Sequence, residues 1–82
     1  MTFDQWVEAV DTQVHGRLGT SVRTAELSWD SAVWVGRGGT AVAELSDNEA
    51  GVRLSFDNGE TVSHPLASPE LASEKIATTI GR

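Results

Sequence analysis

Asp4, Glu8, Asp11 and His15 recur at three- and four-residue steps, so on a helix they line one flank within about 60° of each other. Asp11 and His15 are then adjacent. Such a pair brings a basic nitrogen and carboxylate oxygens to one point, which suits proton transfer or weak binding of a divalent metal. A solvated acidic face with His15 near a helix C-terminus explains the same residues, and no glycine loop or third ligand accompanies them. His64, just before Pro65, is the other candidate base, with Ser63 and Ser68 as nearby hydroxyls. A hydrolytic triad needs its nucleophile on a sharp turn beside oxyanion donors, and no Gly-x-Ser-x-Gly elbow is present. Gly36-Arg37-Gly38-Gly39-Thr40 has the composition of a phosphate-cradling loop but not its spacing, and the residues after it read as a strand rather than a helix. The expectation is no catalytic residue, no cofactor and no metal. The alternative is a small enzyme or ligand-binding domain using His15 or His64 with nearby carboxylates.

Three tryptophans, Trp6, Trp29 and Trp34, are generous for a core this small. Trp29 and Trp34 are five residues apart, so one uninterrupted strand carrying both would point them to opposite faces. If Val33 and Val35 face the helices, Trp34 stands on the outer face of the sheet, where a large aromatic can anchor a partner or a second copy. If Asp30-Ser31 makes a turn instead, the parity shifts and both rings enter the core. On the first register the partner-binding residues are Trp34, the acidic Glu44, Asp47 and Glu49, and the loop-tip cation Arg37.

These groups must be held by elements whose signals are mostly local. Phe3, Trp6, Val7, Val10, Val14 and Leu18 fall within an arc of about 120°, which predicts an amphipathic helix over residues 3–17. Thr2 is its N-cap, Asp4 sits in its first turn, and Gly16 and Gly19 offer stops. Thr20 to Leu27 suits a strand or a short helix. Ala32 to Val35 and Thr40 to Leu45 read as strands joined by a glycine turn, and Val52, Leu54 and Phe56 alternate with polar residues in the clearest strand of the chain. A two-residue loop at Asn58-Gly59 would put Val62 on the wrong face. A three-residue loop with Gly59 left-handed and a G1 bulge pairs Leu54 with Val62 and Val52 with His64. Ser68-Pro69-Glu70 opens a second helix over residues 69–80, with an inward stripe of Ala72, Ile76 and Ile80 and a stop at Gly81.

The expected fold is therefore α+β, one domain over residues 1–82: an N-terminal helix, an antiparallel four-stranded meander with a fifth strand at 20–27 as an option, and a C-terminal helix. Both helices pack on one sheet face, leaving Arg53, Ser55, Thr61 and Ser63 outside. Double-stranded RNA binding domains share a related element order, but they bind phosphates with Lys and Arg at the start of the last helix, where this chain has Ser68-Pro69-Glu70.

The chain has 82 residues, with six Lys and Arg against twelve Asp and Glu, a net charge of −6 and no Cys. Its field repels phosphate, so nucleic acid is not an expected partner and a basic protein surface is. The start reads as no secretion signal and no apolar run is long enough for a membrane helix, so the expected location is cytoplasmic, with no membrane partner. A core this small gains from association, and Ala32 to Val35 carries neither Pro nor Lys to guard a sheet edge, so a homodimer is a candidate state. The reading is a noncatalytic acidic protein-interaction module of the adaptor or chaperone-like kind. An inhibitor, immunity protein or nucleic-acid-mimicking decoy is the other alternative.

Overall fold

Thr2 starts the first helix by a reciprocal cap: its hydroxyl accepts from the Gln5 N–H at 3.2 Å, and its own N–H donates to Gln5 Oε1 at 2.9 Å. The computed structural model describes every residue from Met1 to Arg82. Helix α1 spans Phe3–Leu18 and ends at Gly19, whose φ of 60° lets the chain turn away. A short 3-10 turn, Gly19–Ser21, leads to strands β1 (Arg23–Leu27), β2 (Ser31–Gly36), β3 (Gly39–Leu45), β4 (Gly51–Phe56) and β5 (Thr61–Pro65), then to helix α2 (Pro69–Ile80). Neither helix is long and apolar enough to cross a membrane.

The five strands form one antiparallel sheet in chain order, so β1 and β5 are its edges. The segment with two readings is thus a 3-10 turn followed by the fifth strand, with a bulge at Ala25 between Thr24 and Glu26. Strand β2 lies inside the sheet, between β1 and β3. The unguarded segment Ala32 to Val35 is therefore not an edge, and the case for self-association drawn from it falls away. The edges themselves are blunted, β1 by its bulge and β5 by Pro65 at its end.

The β4–β5 hairpin has the bulged register expected of it, with Leu54 opposite Val62 and Val52 opposite His64. Gly59 at φ 92° supplies the left-handed residue. Helix α2 starts at Pro69 as expected, although the Ser68 side chain makes no capping hydrogen bond. Its far end is closed by the glycine loop: the Gly38 N–H donates to Ile80 O at 2.8 Å. A Cβ on Gly36 would lie 2.3 Å from that same carbonyl oxygen. The Gly36–Gly39 run therefore lets a hairpin tip approach a helix end.

The parity of β2 departs from the register that placed Trp34 outside. Trp34 is fully buried beneath α1, while Val33 and Val35 face away from the helices with Val42. The cause is volume. The inner face carries Ala32, Ala41 and Ala43 around Trp34, and these small residues leave room for the indoles of Trp34 and Trp6. The two rings meet edge to face at 6.4 Å, and Phe3 stacks on Trp6 at 5.8 Å. A turn at residues 28–30 does break the strand, but it carries Trp29 outward rather than into the core.

Candidate functional site

Asp11 and His15 do meet on α1, with Nε2 of His15 3.4 Å from Oδ1 of Asp11. The fold adds two partners from other elements. Thr24 of edge strand β1 donates its hydroxyl proton to the Asp11 carboxylate and lies 2.8 Å from His15 Nε2. The Trp34 indole N–H donates to the same Asp11 oxygen at 2.9 Å. Because the Thr24 hydroxyl has one proton and gives it to Asp11, His15 Nε2 is the donor toward Thr24. In a nucleophilic triad the carboxylate holds one ring nitrogen while the other takes the nucleophile's proton. Here Asp11 and Thr24 meet the same nitrogen, so the cluster is wired as a clasp between α1, β1 and β2 and not as a proton relay.

His64 lies on the inner face of β5, opposite Val52, and its Nε2 is buried without a hydrogen-bond partner. Burial, with the positive charge of Lys75 as the lesser cause, holds its pKa below the ordinary histidine value of 6.5. Lys75 itself pairs with Glu60 at 2.6 Å. Ser63 faces the other side of the sheet, so His64 cannot act on it. No three metal-ligating side chains of the His, Cys, Asp and Glu type come together.

The tryptophan that faces solvent is Trp29, 75% exposed in the β1–β2 turn. Two of the other exposed large apolar residues, Met1 and Leu27, line adjoining hollows at the same end of the molecule, while Leu71 of α2 lines neither. Met1, 61% exposed, joins Trp29, Phe3, Leu45 and Leu66 in lining a depression of about 380 Å³, whose polar rim is Thr2, Asp4 and Glu49. Asp4 is shared with a neighbouring groove along α1, where Leu27, 60% exposed, lies beside Val7, Glu8 and Asp11. None of the six Lys and Arg residues lines either hollow. Both helices start at this end, so their positive dipole ends favour the acids Asp4 and Glu70 in their first turns.

The five residues read as partner-binding are scattered. Trp34 is fully buried in the core and presents no surface to solvent. Glu44 is on the outer sheet face, 3.5 Å from Arg53. Asp47 and Glu49 lie in the β3–β4 turn, and of these Glu49 reaches the Trp29 depression. Arg37 is exposed at the opposite end of the sheet, beside the C-terminus of α2. Sequence reasoning missed the grouping of Met1 and Asp4 with Leu27 and Trp29, which no spacing encodes because two segments more than twenty residues apart build it. A tryptophan beside the Asp30-Ser31 turn signal was the available clue. Comparison with family models, with curated proteins and with solved structures returned no match.

Two outcomes follow from the buried groups. Asp11→Ala strands the Trp34 N–H in the core and should lower the unfolding free energy by about 1–3 kcal/mol in urea titrations, whereas His15→Ala, which removes only a half-exposed partner, should change it by less than about 1 kcal/mol. The second concerns pH. The folded chain keeps His64 neutral where the unfolded chain would protonate it, so the stability is full above 6.5 and is lost as the pH falls below that value. Between about pH 7 and about pH 5 the wild type should therefore lose more stability than His64→Gln, and parallel curves for the two would contradict the assignment.

Proposed function

We propose that this chain is a noncatalytic protein-interaction module that docks through its acidic, apolar end, and that its partner presents a basic or apolar patch there. The observation that carries the reading is Trp29. An indole held three-quarters exposed, next to Met1 and Leu27 and rimmed by carboxylates, is a surface whose burial would release water from apolar area. Tryptophan is among the residues most often found at the energetic centre of interfaces.

Electrostatics favour a different protein over a second copy at this surface. Two copies meeting face to face would bring Asp4, Glu8 and Glu49 against their own equivalents, whereas a basic patch gains from them. The blunted edges of β1 and β5 weaken the other route to self-association. The long-range attraction also implies binding that weakens as salt rises.

The test is Trp29→Ala. Since the side chain contributes little to the core, the variant should unfold within about 0.5 kcal/mol of the wild type. A partner recovered from cell extract and then purified should bind it about thirtyfold more weakly, as titration calorimetry would show. Equal affinity of that purified partner for wild type and variant would overturn the reading.

A further inference from the structure

We propose that the depression beneath Trp29 seats an arginine side chain of the partner, with its guanidinium against the indole and beside the carboxylates of Asp4 and Glu49. This inference rests on the docking surface proposed above and specifies what fills it. The hollow, about 380 Å³, is at the small end of the range of about 300–1,000 Å³ typical of ligand sites, so it fits one long side chain. Its lining is mixed: Met1 and Leu45, with the buried Phe3 and Leu66 behind them, give apolar surface for the methylene stem of such a chain, and Thr2, Asp4 and Glu49 give polar surface beside it. Asp4 and Glu49 at its rim make no ion pair within the molecule. An apolar occupant would strip water from both carboxylates and return nothing to them. A cation replaces that water with charge. Between the two cations, the planar and weakly hydrated guanidinium stacks on an indole face as an ammonium does not.

A second copy could supply the cation head to tail, since Arg37 stands at the opposite end of the molecule. Such a head-to-tail contact makes a ring or an open filament and not the two-fold dimer that most homo-oligomers are. We therefore assign the cation to a different protein and let the experiment address the copy.

The probe is a blocked pentapeptide, acetyl-Gly-Leu-Arg-Leu-Gly-amide, beside its twin in which neutral citrulline replaces arginine. Trp6 and Trp34 are fully buried, so changes in exposed-tryptophan emission report on Trp29. The arginine peptide should give a saturable change, and the citrulline peptide should bind about tenfold more weakly, a gap that closes at high salt. In the double variant Asp4→Asn, Glu49→Gln, both exposed positions, the two peptides should bind alike. Equal binding of the two peptides to the wild type would overturn the arginine assignment while leaving the docking surface in place. A concentration-dependent emission change without peptide, abolished by Arg37→Gln, would overturn it in favour of a second copy. A partner indifferent to Trp29→Ala would instead remove the docking surface itself.

Discussion

Asp11 receives the indole N–H of Trp34, the one donor on the large ring for which the alanines of the sheet leave room. An indole offers large apolar area but carries one donor that costs free energy if it leaves water unpaired, as the fully buried Trp6 N–H does. Asp11, half exposed on α1, accepts that bond while staying in touch with solvent, so the carboxylate need not be buried to serve. The same carboxylate holds Thr24, so one acid ties the first helix to the edge strand and to the strand next to it. With Trp34 inside, the alternation of β2 sends Val33 and Val35 outward, and the turn before β2 leaves Trp29 in water.

What could be read from the sequence was what depends on near neighbours. The cap at Thr2, the Ser68-Pro69 start of α2 and its end before Gly81 are decided within one helical turn, and both helices lie close to the expected bounds. The bulged β4–β5 register followed from asking which loop puts Val62 on the face of Leu54 and Phe56. The parity of β2 was a different kind of question. Ala32, Val33, Trp34 and Val35 are all apolar, so alternation offers no sign of which pair faces in. Only the volume left by alanines on the neighbouring strand settles it, and that neighbour is fixed by tertiary pairing. In β1 the bulge at Ala25 breaks the period of two, which is why residues 20–27 suited more than one element.

The candidate site divides along the same line. Asp11 and His15 were legible as a pair because a helix brings them together, yet their role changed once Thr24 and Trp34 arrived from other strands. The acidic end was not legible as a unit, because the start of α1, two hairpin turns and the approach to α2 converge there only in the fold. Glu49 was picked out for its charge, and the fold gives it a place beside Trp29. The opposite end holds Arg37 and the last turn of α2, with Asp57 beside Gly39, so cations and acids mix there.

The most direct measurement is tryptophan fluorescence quenching at low ionic strength, with caesium and iodide compared on the same protein. One of the three indoles should be accessible, and with each ion's quenching divided by its quenching of free N-acetyltryptophanamide, caesium should exceed iodide because Asp4 and Glu49 lie beside it, with the difference shrinking as neutral salt is added. Three shielded indoles, or an accessible one that iodide quenches better on that relative scale, would contradict the placement of Trp34 inside and of Trp29 at an acidic end.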